Sequence, residues 1–447
     1  MNDSLEMRGE KSISVGYMQT EVGIIPRDWV VEPLENFTAF ISYGFTNPMP
    51  TTTSGPFMIT ARDIANGRIQ YNSARTTDLN AFNKLLTSKS KPQKNDLLLT
   101  KDGTLGRLAL AEDELICINQ SVAILRPNKR IIPKFFQLLL ESPFYQVRML
   151  EDAGGSTIKH IYITIVNRML IGLPTDLKEQ KSIATALSDT DDLITALEQL
   201  IAKKQDIKTA TMQQLLTGRT RLAQFAKQPN ETLKGYKTSE LGMIPEDWEA
   251  KPFGELFESS LHRRTMRKED IVSFVGMQDV SENAQLIEQS QLSFSEVKGG
   301  FTYFEKGDVL VAKITPCFEN GKGCHTESLL TDIGFGSTEF HVLRAKNSSH
   351  SKFIYYWTTN TNLRKVLESE MVGSAGHRRV PLSAIQNYLI PCPQTKIEQT
   401  AIATILSDMD DELEALEQKL AKVRDIKQGM MQQLLTGRIR LPLDHQP

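Results

Sequence analysis

The sequence predicts an α+β protein: two mixed α/β domains separated by a pair of long antiparallel coiled-coil helices, with an internal pseudo-two-fold repeat. Three observations predict it. A 49-residue stretch occurs twice, a shorter leader occurs twice at the same separation, and two equally long windows between leader and stretch have diverged. Internal repeats of this size decide an architecture before any single element does.

The repeated stretch predicts two long helices. Residues 174–222 and 393–441 are identical at 30 of 49 positions. A proline precedes the first turn of each, and each ends in Thr-Gly-Arg, where the glycine is typical of a helix C-terminus. From Lys178 to Leu216 the first helix would measure about 58 Å at 1.5 Å per residue.

Apolar residues in the second copy recur every three or four positions, a heptad pattern suited to one partner helix. They are Leu406, Met409, Leu413, Leu416, Leu420, Val423, Met430 and Leu434. The first copy keeps apolar residues at Leu187, Ile194, Leu197, Ile201 and Leu215, but Thr190, Lys204, Lys208 and Thr211 share that frame. Two imperfect seams of similar length predict that the helices pair with each other. An antiparallel pair would place the two domains at opposite ends.

The leader GYMQTEVGIIPRDWVVEP (16–33) recurs as GYKTSELGMIPEDWEAKP (235–252). Both leader and helix repeat after 219 residues, so one duplication covers almost the whole chain. Between them, residues 34–173 and 253–392 have drifted apart but keep a framework of short strands and amphipathic helices. Strands are expected at 95–99, 121–125, 307–311 and 339–343, and helices at 133–150 and 351–371.

These patterns divide the chain into seven segments. They are a tail (1–15), leader and first domain (16–173), first long helix (174–222), a polar, mobile linker (223–234), leader and second domain (235–392), second long helix (393–441) and a C-terminal tail (442–447).

Composition excludes several classes of protein. The 447 residues are 40% hydrophobic and 24% charged, which is ordinary for a globular protein. No apolar run is long enough to cross a bilayer, and no signal peptide is present, so we expect a cytoplasmic protein without a membrane partner. Cys317, Cys324 and His325 lack a fourth ligand at suitable spacing, so we expect neither a metal nor another cofactor.

Although the net charge is only −2, acidic and basic residues gather in different segments of the chain. Acidic residues gather in the long helices, whereas basic residues gather in the windows, at 84–101, 262–268 and 377–379. This pattern is typical of a protein that contacts phosphate with some faces and protein with others. For any single cluster, an ordinary solvated surface is the competing interpretation.

Five motifs in order resemble the specificity subunit of type I restriction–modification enzymes, over nearly the full length. They are the two IPxDW leaders, TKDGTLG (100–106), INQSVAILRP (118–127), GGSTIKH (154–160) and the P-x4-EQ opening of each long helix. The resemblance implies that each window is a target-recognition domain for one half of a split double-stranded DNA sequence. It also implies that the helices fix the spacing, that two methyltransferase subunits dock on them, and that two motor-nuclease subunits join this assembly.

We expect base contacts from loops that follow or precede the framework strands, because Arg and Lys suit guanine, Asn and Gln adenine, and Glu cytosine. The first set is Lys101, Asp102, Thr104, Arg107, Asn119, Gln120 and Ser121; the second is Lys313, Thr315, Glu319, Asn320, Lys322, Ser337, Thr338 and Glu339. The competing interpretation for each is ordinary turn or surface chemistry. Because the sets differ, the half-sites should differ.

Two basic clusters, Lys159-His160 and His377-Arg378-Arg379, suit phosphate contacts, which position DNA without specifying it. Two acidic triplets at equivalent helix positions suit a basic face of the methyltransferase: Asp189, Asp191 and Asp192, and Asp408, Asp410 and Asp411. They lie too far from the helix N-termini for the helix dipole to explain them. A solvated acidic face is the alternative.

Two other functions are open to the sequence. One is a self-contained nuclease or methyltransferase, although no Asn/Asp-Pro-Pro-aromatic loop, Walker motif or HExxH is present. The other is a coiled-coil scaffold without a role in nucleic-acid binding, which would not need two large, divergent domains with basic loops. A cofactor-binding assay would test the first. The two large, divergent windows argue against the second. Because the catalytic motifs are also missing, we expect a subunit without catalytic residues.

Overall fold

The computed structural model describes residues 13–151, 159–297, 299–374 and 376–442. The chain forms two compact units. Unit 1 comprises the residues up to Glu198 and those from Lys419 onward, and unit 2 comprises Gln199–Gln418. Each unit therefore contains one divergent window together with part of each long helix.

Unit 1 contains thirteen strands in its described residues, and most are short. They are β1 (Tyr17–Thr20), β2 (Gly23–Pro26), β3 (Trp29–Pro33), β4 (Thr38–Tyr43), β5 (Thr52–Ile59), β6 (Ile64–Ala65), β7 (Arg68–Ile69), β8 (Arg75–Thr76), β9 (Leu97–Thr100), β10 (Leu108–Leu110), β11 (Ile116–Ile118), β12 (Val122–Pro127) and β13 (Leu170–Pro174). The helices that begin in it are α1 (Leu79–Leu85), α2 (Pro133–Glu141), α3 (Pro143–Glu151), α4 (Ile163–Arg168) and the long α5 (Leu177–Leu216).

Unit 2 repeats the plan with different strand lengths. Its strands are β14 (Tyr236–Ser239), β15 (Gly242–Pro245), β16 (Trp248–Pro252), β17 (Ile271–Val275), β18 (Ser290–Ser293), β19 (Thr302–Glu305), β20 (Val309–Ala312), β21 (Gly323–His325), β22 (Ile333–Gly336), β23 (Phe340–Leu343) and β24 (Leu389–Pro393). The helices that begin in it are α6 (Ser351–Thr359), α7 (Thr361–Ser369), α8 (Leu382–Asn387) and the long α9 (Lys396–Leu434).

The sheets carry the framework that the sequence predicted. In unit 1, β10-β9-β12-β4 is an antiparallel sheet and β11-β5-β8 a mixed one. In unit 2 the sheets are β21-β20-β23 and β18-β17-β22-β19. In both units the leader's last strand pairs with the strand before the long helix, β3 with β13 and β16 with β24. This pairing joins the beginning and the end of each window.

The helices predicted at 133–150 and 351–371 are each broken into two. Pro143 has no backbone N–H to continue the hydrogen-bond ladder, so α2 ends at Glu141 and α3 starts anew. In unit 2, Asn360 caps α7 by accepting hydrogen bonds from the N–H groups of Asn362 and Leu363 at 3.0 and 3.2 Å. The single-helix prediction was therefore wrong in both windows.

Within each unit the segments of α5 and α9 run antiparallel. In unit 1, Asp191 pairs with Lys427 at 2.5 Å, and Glu198 pairs with Arg424 at 2.6 Å. The paired residues thus have increasing numbers along α5 and decreasing numbers along α9, as in antiparallel helices. Unit 2 shows the same order, because Lys204 pairs with Glu412 and Lys208 with Asp410. The two lysines that interrupt the apolar seam of α5 are therefore matched by acids on α9.

Each domain packs on the start of one long helix and the end of the other. The core of unit 1 includes Ile183 and Leu187 of α5 with Met431 and Leu434 of α9. The core of unit 2 includes Ile402 and Leu406 of α9 with Met212 and Leu215 of α5. Both ends of the apolar seam are therefore buried in the domain cores.

The aspartate of IPxDW, the glutamate of EQ and the arginine two residues after TGR meet in one cluster per unit. In unit 1, Arg440 binds both carboxylate oxygens of Asp28, at 3.0 and 2.9 Å, and Glu179 at 2.6 Å. In unit 2, Arg221 binds Asp247 and Glu398 in the same way. We call these clusters the latches. Each joins the end of one repeat's helix segment to the leader and helix start of the other repeat.

The glycine of each TGR motif allows the leader to approach. Gly437 has a φ of +68°, and a Cβ there would lie 2.5 Å from Pro26 and 3.1 Å from Trp29. Gly218 has the same φ and equally close contacts with Pro245 and Trp248. Only glycine adopts this conformation without strain and leaves room for the ring.

The linker predicted at 223–234 forms a hydrogen-bonded turn. The N–H of Lys234 donates to the carbonyl of Ala226 at 2.8 Å, and the N–H of Gln228 donates to Thr232 at 2.8 Å. Lys227 and Glu231 form an ion pair across it.

Candidate nucleic-acid interface

Three loops of unit 1 are joined by main-chain hydrogen bonds at the end of β9. The N–H of Lys101, the residue after β9, donates to the carbonyl of Ser121, the residue before β12, at 2.9 Å. The carbonyl of Lys101 accepts from the N–H of Ile161, just before α4, at 3.0 Å. The predicted residues of three separate loops are thereby brought to one surface.

Unit 2 has the same junction. The N–H of Lys313, after β20, donates to the carbonyl of Glu339, before β23, at 2.9 Å. The carbonyl of Lys313 accepts from the N–H of Val380, before α8, at 2.8 Å. The three loops therefore form a fixed frame that carries different side chains in the two units. We call each junction and its loops a loop surface.

Asp102 is the centre of the loop surface in unit 1. Its carboxylate pairs with Nζ of Lys101 at 2.8 Å and with Nδ1 of His160 at 2.5 Å. Burial alone would raise the pKa of Asp102, but the hydrogen bonds from Lys101 and His160 outweigh it and hold that pKa below its usual value. Asp102 is therefore ionised at neutral pH and compensates the charge of Lys101.

Tyr43 joins this surface, although sequence reasoning missed it. Its side chain is 54% exposed, and Nζ of Lys101 lies 5.6 Å from the ring centroid. An exposed aromatic ring beside a lysine can stack on a nucleobase or a sugar. The only sequence signal was an aromatic residue at the end of the β4 strand, directly before Gly44.

Two arginine–glutamate pairs dominate the loop surface of unit 2. Arg379 binds both carboxylate oxygens of Glu339 at 2.9 and 2.8 Å, and Arg378 binds Glu319 at 2.6 Å. Hydrogen bonding from Arg379 lowers the pKa of Glu339 despite partial burial. The arginines predicted to contact phosphate thus already have carboxylate partners in this structure.

Several predicted base readers instead hold their own loops. The Asn119 side-chain oxygen accepts from both the N–H and the hydroxyl of Ser121, at 3.1 and 2.6 Å, as in an Asx turn. Nζ of Lys322 donates to the carbonyl of Met277, and the Asn320 amide donates to Glu282, each at 2.9 Å. Similar loop bonds involve Ser121, Thr315 and Ser337, whose oxygens accept or donate within the surface.

Arg107 lies apart from the loop surface. Its guanidinium donates to the carbonyl of Ile64 at 3.1 Å and lines a polar cleft shared with Asp191 and Asp192 of α5. The structure therefore does not group it with the other predicted base readers of unit 1.

The predicted residues with free side chains are few. Among the described residues, six have side chains without a hydrogen-bond partner, and all but Lys313 are exposed: Thr104, Gln120, Lys159, Lys313, Thr338 and His377. Gly154 to Ile158 of the GGSTIKH motif lie outside the described residues.

The six helix aspartates fall into two groups. Asp191 and Asp410, the central members, pair with Lys427 and Lys208 of the opposite helix, and Asp410 also accepts from the hydroxyl of Tyr356 at 2.7 Å. The expectation that their charge is offset from outside the helix pair was therefore wrong. The outer members are exposed: Asp189, Asp192, Asp408 and Asp411. Of these, Asp192 has a 3.5 Å contact with Arg68.

Within the described residues, no group of three or more His, Cys, Asp or Glu side chains is arranged to hold a metal ion. No helix that these residues form combines the length and apolar character needed to cross a membrane.

Comparison with known proteins gives a consistent picture. The family model described as "Type I restriction modification DNA specificity domain" matches twice, at residues 52–209 and 245–424. The EcoEI specificity subunit of Escherichia coli is 34% identical over 194 residues, which cover 43% of this chain and 32% of that protein. The first two curated relatives are thus matched over about a third of their length.

Longer matches are more distant. The putative MjaX specificity subunit of Methanocaldococcus jannaschii is 24% identical over 95% of this chain and 97% of its own length. A solved S subunit from M. genitalium shares the fold, with a TM-score of 0.56 at 17% identity over 91% of this chain and 96% of that one. Two family-model matches that together span most of the chain, on two units built alike, show that it belongs to the family of type I restriction–modification DNA specificity subunits.

Proposed function

We propose that this chain recognises a bipartite double-stranded DNA sequence and directs the methyltransferase and restriction subunits of a type I restriction–modification system to it. The windows within residues 16–173 and 235–392 act as target-recognition domains, one for each half-site. A cytoplasmic location follows from this role.

One observation carries the proposal: the two loop surfaces have the same main-chain frame but different side chains. Lys101 and Lys313 make equivalent backbone bonds, whereas the residue whose carbonyl accepts from the lysine N–H, directly before β12 or β23, is Ser121 in one unit and Glu339 in the other. The latches, by contrast, keep the same residue types in both units. A fixed frame with variable side chains is what two readers of different base sequences require.

The chain supplies binding and not chemistry in this proposal. The sequence has no Asn/Asp-Pro-Pro-aromatic loop, and the nearest match, 47–50, lacks the second proline and the aromatic residue. Its carboxylates at the loop surfaces are paired with cations, as expected of recognition surfaces. Methylation and cleavage would then be performed by partner subunits.

The partners we propose are two methyltransferase subunits and, in the full enzyme, two motor-nuclease subunits. The support for two methyltransferases is the duplication itself, because exposed Asp189 and Asp192 have equivalents, Asp408 and Asp411, 219 residues later. A surface that occurs twice can bind the same partner twice.

The test is to express the chain with its methyltransferase subunit and to map methylated adenines by single-molecule sequencing. We expect one split motif. Exchange of residues 34–173 for the same window of another such subunit should change one half of that motif, and exchange of 253–392 should change the other. Absence of a split motif, or a change in both halves after one exchange, would overturn the proposal.

A further inference from the structure

A basic side chain and a carboxylate meet at the same place in both loop surfaces. His160 and Arg379 each directly precede the residue whose N–H binds the lysine carbonyl, Ile161 or Val380. His160 is bound by Asp102 and Arg379 by Glu339. The two basic side chains therefore occupy equivalent positions in the frame.

The two carboxylates come from different loops. Asp102 directly follows the lysine at the end of β9, whereas Glu339 directly precedes β23. The position equivalent to Glu339 is Ser121 in unit 1, and the position equivalent to Asp102 is Ile314 in unit 2. The pairing occurs in both units although the acids lie in different loops, so a purely local turn requirement does not account for it.

The basic side chain is the outer member of each pair. The side chains of His160 and Arg379 are 41% and 46% exposed, whereas Asp102 and Glu339 are 22% and 25% exposed. A phosphate that approaches either surface meets this outer side chain first. The carboxylate occupies two of the five N–H donors of Arg379 and Nδ1 of His160, and phosphate competes with it for those hydrogen bonds.

We propose that Asp102 and Glu339 are specificity-determining residues that act against the wrong DNA as well as for the right one. When Arg379 or His160 turns to phosphate, its carboxylate loses that partner. A base edge that presents an amino group can replace the lost partner. A base edge that presents only acceptors leaves Glu339 unpaired beside phosphate and leaves Asp102 with Lys101 alone. Binding to sequences without the amino group is thereby penalised.

This inference rests on the proposed function and predicts a result that simple base reading does not. In the assembled methyltransferase complex, Glu339→Gln should tighten binding to a duplex with both half-sites scrambled by roughly three- to tenfold at low salt. The logarithmic salt dependence on that duplex should steepen by about 0.9, the equivalent of one more phosphate contact. Affinity for the target duplex should change less, so the ratio of target to non-target affinity should fall.

Three further variants sharpen the measurement. Glu240→Gln removes an equal charge from the exposed leader of the same unit and should leave both affinities unchanged. The double variant E339Q/R379Q should bind the scrambled duplex no more tightly than the wild type, because the tighter binding of E339Q acts through Arg379. Asp102→Asn should repeat the effect in unit 1 and gives an independent reading if E339Q lowers the unfolding temperature.

The outcomes separate the two proposals. If the wild-type complex prefers no sequence, the proposed function fails. If it prefers the target, but E339Q and D102N leave scrambled-duplex affinity and salt dependence as in the wild type, only this inference is overturned. The inference is also overturned if E339Q and D102N bind the target more weakly and the scrambled duplex no more tightly. That result is expected of residues that only contact bases in the correct target.

Discussion

The guanidinium of Arg221 binds Glu398 through two parallel hydrogen bonds, Nε to Oε1 at 2.8 Å and Nη2 to Oε2 at 3.0 Å. Both side chains are only 6% exposed, so the pair is withdrawn from water. Burial raises the pKa of Glu398 although Arg221 opposes that shift. The latch of unit 2 therefore contains a buried carboxylate whose negative charge is compensated by Arg221.

Arg221→Ala should lower the stability of unit 2 by about 3–5 kcal/mol, because it leaves a buried carboxylate without its cation. Thermal unfolding followed by circular dichroism measures this. Arg219→Ala is the matched control, since Arg219 is exposed and lies two residues earlier. Equal melting curves for the two variants would contradict the role given to the latch.

Gly429→Ala should stabilise the protein by about 0.4–1 kcal/mol. Gly429 lies inside α9, and a Cβ there would meet no atom within 4 Å, so alanine adds helix propensity without a clash. The equivalent residue of α5 is Ala210, and Ala210→Gly should cost a similar amount. Chemical denaturation of both variants tests the pair, and a loss of stability in G429A would contradict it.

The exposed helix aspartates should mediate binding of the methyltransferase. Replacing Asp189, Asp192, Asp408 and Asp411 by Asn should leave helix content unchanged and reduce co-purification with that subunit. Asp191 and Asp410 are left intact because they pair across the helices. Asp206→Asn with Asp425→Asn is the control, since these residues are also exposed and equivalent. Unchanged co-purification of the fourfold variant would rule out this docking role.

Gln120→Ala should lower DNA affinity at one base pair by about 1–3 kcal/mol, because this exposed amide is free to bind a base edge. Asn119→Ala should instead loosen the loop and weaken binding at more than one position, since its oxygen holds Ser121. Binding to a panel of single-base-pair variants of the target distinguishes the two. Identical profiles for both variants would refute this division of roles.

His325 should make unit 2 less stable in mild acid. Burial lowers the pKa of His325 to about 4, and its Nδ1 is enclosed without a partner among the described residues. The unfolded chain, with an ordinary histidine pKa near 6.5, therefore binds more protons between these values, so stability falls as the pH drops from about 6.5 to 4. His325→Gln should flatten the dependence of unfolding free energy on pH in this window, whereas exposed His262→Gln should not.

Sequence reasoning worked best where periodicity is long. The helix expected from Lys178 to Leu216 is observed as Leu177–Leu216, because its apolar pattern and terminal glycine both mark its extent. Shorter helices failed at Pro143 and Asn360, where a single residue decides the break. Pattern reasoning averages over several residues, so it overlooks such local events.

The loop surfaces could be predicted only in part. Lys101 and Asp102 were identified from their position after a strand, but the contact of Asp102 with His160 joins residues 58 positions apart. The ion pair between Arg379 and Glu339 also joins residues that are far apart in the sequence, by 40 positions. Spacing along a chain does not encode such pairings, so the residues were predicted while their partners were not.

The main-chain frame of the loop surfaces has a consequence for evolution. The bonds of Lys101 and Lys313 use only backbone atoms, so they persist whatever side chains the adjoining loops carry. Substitutions of unpaired loop residues such as Gln120 and Thr338 can therefore leave this frame intact, so that DNA targets can change one domain at a time. Asp102 and Glu339, acids that lie in different loops of the two units, are an instance of that freedom.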